Sequence, residues 1–315
     1  MTRIVVRDGV FNVGDVVATA MLKICFNIEE IIRTSDEGII SKYKNDKETF
    51  VIGVGAEYNT IYENYDYHQV NFKFYHRKTN IPFSSAGLIW YNYAYAVIVK
   101  VLPKTAEYDE KFIYNKMYDD IISIVDAHEN NDSEARYSIL CNNKNAIDIV
   151  GIISNFIPVL GDDIGIETKK QIEDKAFNKA VNECMSVITR YIWREYMNFQ
   201  VKEYVRDKIK KASKEDKILI LDKLVPWREV IEKEKNHDFK VVIYPSISGK
   251  EYLAECVRSP NGGYKFLFPS YLAEQPKEVL VEMTGYKSIE FVEKTGFLAI
   301  STDKEELIEF VKNLV

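Results

Sequence analysis

The sequence predicts an α/β protein of two domains, the first built on a mainly parallel sheet flanked by helices. Short β-branched runs alternate with segments of helical period through the first half. The strand-like runs stop at polar or glycine turns and lead into helices, the pattern of βαβ units. At 315 residues the chain is long enough to bury two cores.

The first strand is Ile4, Val5 and Val6. Asp8-Gly9 turns the chain, and Val13, Val16, Val17 and Ala20 set the period of a helix. A strand ending in a polar turn at a helix N-terminus is where open α/β sheets gather ligands and where anions are attracted. Ile28 to Asp36 is a second strand, and Thr49 to Asn59 a third with Gly53 and Gly55 toward its carboxyl end. Ser84 or Ser85 is a natural N-cap for a helix burying Leu88, Ile89 and Tyr93. Lys111 to Asn131 is another helix. The turn at Gly161-Asp162-Asp163 marks the first domain boundary, giving an N-terminal domain of residues 1–160, a helical connector of 161–213 and a C-terminal α/β domain of 214–315. Within the connector, Ile172, Ala176, Ala180, Cys184 and Ile188 recur at helical spacing, and the charged opposite face reads as solvated. Lys217 to Lys233 then reads as strand, Pro-Trp turn and helix. Phe239 to Val257 reads as a hairpin turning around Ser246 to Lys250, and a helix closes the chain.

A net charge of −6 argues against non-specific nucleic-acid binding, although a local basic groove is compatible with it. No apolar run approaches the roughly 18 residues that would span a bilayer. Cys25, Cys141, Cys184 and Cys256 are far apart and read as reduced thiols, most of them in cores, which predicts a cytoplasmic protein. P-loop, nucleophile-elbow and dinucleotide signatures are absent. The aromatic run from Tyr58 to Tyr75 reads as core rather than as a base-stacking surface, and His76, His128 and His237 are too dispersed to predict a zinc site.

The spacing around the first turn resembles the first motif of the melanocyte-proliferating-gene-one family, metal-dependent phosphohydrolases and exonucleases related to the DHH phosphoesterases. That motif is His-x-Gly-x-Phe-His-x-Asp followed by Asp or Glu. Gly9, Phe11 and Asp15 fit it, whereas Arg7, Asn12 and Gly14 stand at the two histidines and the aspartate. Gly53 replaces the aspartate of the second motif. In the Tyr-Asp-His-His-Gln motif Asp66, His68 and Gln69 match, and Tyr67 replaces the first histidine. In Val-Asp-Ala-x-Asp-Asn-Gly, Asp126 and Asn130 match and Glu129 replaces an aspartate. In the closing His-x-x-Gly-Phe-x-Gly-Gly loop Gly296 and Phe297 match, Glu293 replaces the histidine, and Ala299 and Ile300 replace the glycines. The resemblance covers nearly the whole chain in order and implies a DHH-like N-terminal domain.

A two-metal phosphodiesterase holds cations roughly 3.5–4 Å apart with His and Asp side chains. By resemblance those ligands would lie at positions 7, 12, 14, 53, 67 and 126, of which only Asp126 keeps its ligand chemistry. The resemblance therefore implies a catalytically degenerate relative without a cofactor, acting by binding a nucleotide, a nucleic acid or a protein partner. Arg7 is expected to fill the vacated metal space and pair with Asp66, Asp126 or Asp15. The alternative is a metal-dependent 3′–5′ exonuclease, using manganese or magnesium on a site rebuilt from Asp15, Asp66, His68, Asp126 and Glu129. A third reading is a structural subunit paired with an active paralogue, and a homo-oligomer is compatible with all three.

Overall fold

The computed structural model describes residues 2–103, 108–161, 164–234 and 237–315. Asp162 and Asp163 of the expected boundary turn lie outside these. The chain forms two compact units, residues 1–197 and 198–315.

The first unit carries a five-stranded sheet in the order β2-β1-β3-β5-β4, made of β1 (Arg3–Val6), β2 (Glu30–Arg33), β3 (Thr49–Ile52), β4 (Tyr58–Asn59) and β5 (Asn64–Tyr65). The first four in that order are parallel, and only β4 runs against β5. Val6 is in register with Arg33 and Ile52, so residues 7, 34 and 53 leave the sheet side by side at its carboxyl edge. The expected third strand is shorter than its apolar run: the chain leaves β3 at Gly53 and re-enters the sheet as β4. Gly53, at φ +63°, takes a left-handed bend that β-branched neighbours could not.

Around this sheet pack α1 (Val13–Cys25), α2 (Glu37–Tyr43), α3 (Ser85–Val101), α4 (Glu110–Met117), α5 (Ser123–Glu129), α6 (Ser133–Asn142), α7 (Ile149–Ser154) and the first part of α8 (Ile166–Lys211). Residues Val13 to Leu22 of α1 are all buried, which is why the segment is apolar on more than one face. The helix expected over Lys111 to Asn131 is interrupted by a π-turn at Tyr118–Ile122, between α4 and α5. Such a turn loosens the normal carbonyl pairing. Here Asp119 O accepts from Asn143 Nδ2 and Asp120 O from Ile147 N–H, at 3.1 and 2.8 Å. The aromatic run from Tyr58 is internal packing: Tyr58 stacks on Phe74 and meets Tyr65 and Phe72 edge-on or tilted.

The second unit has a mixed sheet ordered β6-β7-β8-β10-β9, from β6 (Ile218–Ile220), β7 (Val241–Pro245), β8 (Tyr252–Cys256), β9 (Ile289–Val292) and β10 (Leu298–Ser301). Helices α9 (Arg228–Lys233), α10 (Lys277–Thr284) and α11 (Lys304–Lys312) accompany it. The expected β7–β8 hairpin is present, and Val205 of α8 joins Leu219, Trp227 and Phe239 in one of its apolar clusters. This is the expected fold class, an α/β N-terminal domain on a mainly parallel sheet with a smaller α/β domain after it. Cys184 and Cys256 are buried, Cys25 is half-buried against the first core, and Cys141 is exposed. Among the described residues no helix is long and apolar enough to cross a membrane.

One buried cation ties the first sheet to α8. Arg33 donates Nη1 to Asp174 Oδ1 (2.7 Å) and Nη2 to Gly9 O (2.6 Å), with its guanidinium over the Phe177 ring. A lysine cannot bridge two acceptors in a plane and stack at once. Arg33→Lys is expected to lower unfolding stability by about 2 kcal/mol in denaturant melts.

Candidate functional site

Four segments meet at the carboxyl edge of the first sheet: the β1–α1 turn, the loop after β3, the turn after β5 and the end of α5. Asn12 is the N-cap of α1, but its side chain makes no cap bond. The helix is capped instead from 115 residues away. Glu129 Oε1 accepts the Gly14 N–H at 3.0 Å, and Glu129 Oε2 accepts the Tyr67 hydroxyl at 3.0 Å. A carboxylate at this position meets both the free N–H groups and the positive end of the helix dipole. Glycine at position 14 makes room, since a Cβ there would lie 3.1 Å from Glu129 Cγ.

Asp15 points toward the loop after β3, where a Cβ on residue 53 would overlap its carboxylate. It is 2 % exposed, and burial, reinforced by the charges of Glu129 and Asp66, pushes its carboxyl up to about 7. Ser85 and His68 pull the other way. Among the described residues neither Asp15 Oδ2 nor Ser85 Oγ has a hydrogen-bond partner of good geometry.

Asp66 is a fixed internal anion. Its Oδ2 accepts the Ala56 N–H at 2.6 Å, and its Oδ1 accepts the His68 N–H at 3.1 Å and contacts His68 Nδ1 at 2.6 Å. Burial raises its carboxyl, but these hydrogen bonds outweigh burial and hold it below the ordinary value. In return the bond to Asp66 raises His68 despite partial burial. The His68 ring lies over Tyr67, with centroids 4.1 Å apart.

Asp126 faces the N-terminus of α3. Its Oδ1 accepts Ser84 N–H (2.9 Å) and Ser84 Oγ–H (2.6 Å), and its Oδ2 accepts the Tyr118 hydroxyl (3.2 Å). Complete burial pushes its carboxyl up to about 7 although these donors oppose the shift. Of the two serines expected as caps of α3, Ser84 takes the role, and its hydroxyl also serves Asp126.

The Arg7 expectation is corrected by the structure. Arg7 is exposed, and among the described residues it makes no ion pair with Asp15, Asp66 or Asp126. The space it was expected to fill is taken by shorter reaches: Asp15 against Gly53, Glu129 against Gly14, and Tyr67 against Glu129. Arg7 lines instead an open cleft of about 480 Å³, together with Ser35, Lys44, Gly55, Asp66 and His68.

Among the described residues no three His, Cys, Asp or Glu side chains are grouped to hold a metal ion. Most of the alternative ligand set is already engaged, Asp66 with backbone N–H groups and His68, Asp126 with Ser84 and Tyr118, and Glu129 with Gly14 and Tyr67, while Asp15 Oδ2 makes no hydrogen bond among the described residues. The residues present therefore do not fit a two-metal centre.

In the C-terminal unit Glu293 folds onto its own loop, accepting from Thr295 N–H (2.7 Å) and Thr295 Oγ1–H (2.6 Å). Gly296 O accepts the Phe268 N–H and Phe297 O the Cys256 N–H, both at 2.8 Å, so the matched Gly-Phe pair fastens β10 to its neighbours. Sequence reasoning missed the Tyr67–Glu129–Gly14 contact and the role of Arg33. The three substitutions of the first set were visible one by one, but nothing in a linear sequence showed that they touch.

The proton balance gives a sign for pH dependence. Asp15 and Asp126 bind their protons more tightly when folded, so each contributes stability below the usual carboxylate range that fades as pH rises to about 7. His68, raised when folded, likewise contributes below its ordinary value and loses that contribution as pH rises through its folded value. Melting temperature is therefore expected to fall between about pH 5 and pH 7.5, and Asp15→Asn is expected to flatten part of that slope in calorimetric scans. Gly53→Ala, forced to φ > 0 against Asp15, is expected to cost about 2 kcal/mol or more.

A MYG1 protein of Schizosaccharomyces pombe is 26 % identical over 331 residues, covering 99 % of this chain and 97 % of its own length. A MYG1 exonuclease of Homo sapiens is 28 % identical over 152 residues, covering 44 % of this chain and 39 % of its own. Among solved structures, a pGpG-specific phosphodiesterase from Vibrio aligns with a TM-score of 0.31 and 11 % identity, over 99 % of this chain and 97 % of that one. The family model described as MYG1 exonuclease, uncharacterised protein family UPF0160, matches residues 3–315, and the chain belongs to that family.

Proposed function

We propose that this chain is a catalytically degenerate member of its family, which binds a phosphate-bearing nucleotide or nucleic-acid end at the carboxyl edge of its first sheet without cleaving it. The observation that carries this reading is the seat of Glu129. A protein carboxylate already occupies the α1 N-terminus, held by Gly14 N–H and the Tyr67 hydroxyl. Repositioning it for a cation would give up two hydrogen bonds and leave a helix end uncapped.

Beside that filled position the cleft of about 480 Å³ stays open. Its exposed Arg7 has no ion pair among the described residues, and His68 is biased toward its charged form by Asp66. Arginine suits phosphate through its planar fork of donors. Lys44, bound to Gly55 O and Glu57, shapes the wall and contributes little free charge.

A metal-dependent nuclease is the second reading. One observation favours it: Asp15 Oδ2 is buried without a hydrogen-bond partner among the described residues, within electrostatic reach of Asp66 and His68. Elemental analysis and a manganese-supplemented assay on short RNA and DNA separate the two. The degenerate reading predicts no stoichiometric metal and no turnover, with nucleotide binding that Arg7→Glu weakens by about tenfold and that declines as pH rises. Turnover abolished by Asp66→Ala, with bound metal in the unmutated protein, contradicts it.

A further inference from the structure

The chain between Asp66 and Glu107 carries no acidic side chain. Residues 67–106 hold five Lys or Arg and no Asp or Glu, in a chain with 48 acidic residues among 315. Burial of much of α3 accounts for the later part of this tract. It does not account for residues 67–80, none of which is buried. There Lys73, Arg77 and Lys78 make a basic stretch in a chain whose net charge is −6. None of the three has an ion pair among the described residues.

The stretch is built as a small hairpin leading into α3. Tyr75 and Pro82 form an antiparallel bridge, Phe83 N–H donates to Phe74 O at 2.9 Å, and His76 N–H donates to Ile81 O at 3.0 Å. Asn80 N–H donates to His76 O at 2.9 Å and closes the turn. Side chains alternate along it. Phe72 packs on Tyr58, Phe74 on Tyr58, Phe83 and Tyr91, and His76 on Phe83 and Tyr118. Lys73 and Tyr75, the residues between them, are exposed on the other side. Tyr75 is 38 % exposed and joins neither the core nor any ring contact among the described residues. Arg77 opens the turn and Lys78 lies on it, both exposed. Asp119, next to Tyr118 in the π-turn, is within electrostatic reach of His76, one of the inward residues.

A row of cation, aromatic ring and cations on an exposed segment suits one kind of partner best. Single-stranded nucleic acid offers phosphates to the cations and an unstacked base to the ring. An acidic peptide offers the charge but no flat face for Tyr75. A lipid surface asks for several apolar side chains at one level, and Val70 is the only aliphatic residue between positions 67 and 80. The hairpin is also continuous with the N-terminal cleft. His68 lines that cleft, and Lys73, five residues on, lies at most about 18 Å from it along the chain.

We propose that this hairpin is a docking surface for single-stranded nucleic acid, holding the strand that leads away from the N-terminal cleft. A base stacks on Tyr75, and Lys73, Arg77 and Lys78 meet the phosphates on either side of it. This rests on the reading of the cleft as a site for a phosphate-bearing end, and it makes the preferred ligand a strand of several nucleotides rather than a free mononucleotide.

Fluorescence anisotropy of the full chain with labelled twelve-residue oligouridylate and oligothymidylate tests the proposal, beside calorimetric titration with uridine monophosphate. Either oligonucleotide is expected to bind about tenfold or more tighter than the mononucleotide. Tyr75→Ala is expected to remove about tenfold of that gain, Tyr75→Phe to keep it, and neither to change mononucleotide binding. Affinity falls as salt rises, and each of Lys73→Glu, Arg77→Glu and Lys78→Glu makes the log–log slope about 0.7 shallower. The corresponding alanine variants repeat the test should a charge reversal disturb folding, judged by melting temperature. Arg7→Glu separates this proposal from the reading of the cleft. A gain for the oligonucleotide that survives Arg7→Glu, with no mononucleotide binding in the unmutated protein, supports the hairpin and counts against the cleft. Mononucleotide binding that Arg7→Glu weakens, with no gain for the longer probe, overturns the hairpin alone. Affinity indifferent to Tyr75→Ala, competition by polyglutamate as effective as by unlabelled oligonucleotide, or binding to phosphatidylserine vesicles without binding to either oligonucleotide also overturns it.

Discussion

The N-terminus of α1 cannot be left bare inside the protein, and Glu129 is what covers it. The first turns of a helix present N–H groups with no intrahelical partner, and here the residue best placed to cap them, Asn12, does not. The Gly14 N–H therefore depends on a carboxylate delivered by α5, and that carboxylate in turn depends on the Tyr67 hydroxyl. Because Glu129 ends the same helix that carries Asp126, the cap and the Ser84 contact at α3 are set by one rigid element. The packing of α1, α3 and α5 and the electrostatics of the cleft thus share a single cause.

Three negative side chains, Asp15, Asp66 and Glu129, are brought close at the sheet edge, and the protein resolves the repulsion in three ways. Asp66 is given backbone N–H donors and an imidazole. Glu129 is given a helix end and a phenol. Asp15 receives neither, and burial with its charged neighbours favours the protonated form. A divalent ion is the usual alternative solution to crowded carboxylates, and these contacts perform the same neutralising task with groups of the chain itself.

Much of this frame was legible in the sequence. Ile4 to Val6, the turn at Gly9 and the period of Val13 to Ala20 identified the first strand–turn–helix unit, because the sterics of β-branched residues and helical periodicity are local properties. The serine cap of α3 (as Ser84 or Ser85), the β7–β8 hairpin and the buried face of α8 were legible for the same reason. The π-turn at Tyr118–Ile122 was not, since its released carbonyls are satisfied by Asn143 and Ile147, beyond any local window. The site was legible as a set of replaced residues but not as a set of contacts. Arg7 was assigned to a space that Asp15, Glu129 and Tyr67 reach with shorter side chains, and Arg33, a buried cation matched to Asp174 across 141 residues, gave no sign of its task.

A crystal soaked in manganese and measured at the metal's absorption edge tests the central claim most directly. With Glu129 seated on Gly14 N–H and Tyr67, the account predicts no anomalous peak at the carboxyl edge of the first sheet and an unmoved Glu129 side chain. A pair of manganese ions there, with Glu129 or Asp66 turned from its N–H donors to coordinate them, contradicts it.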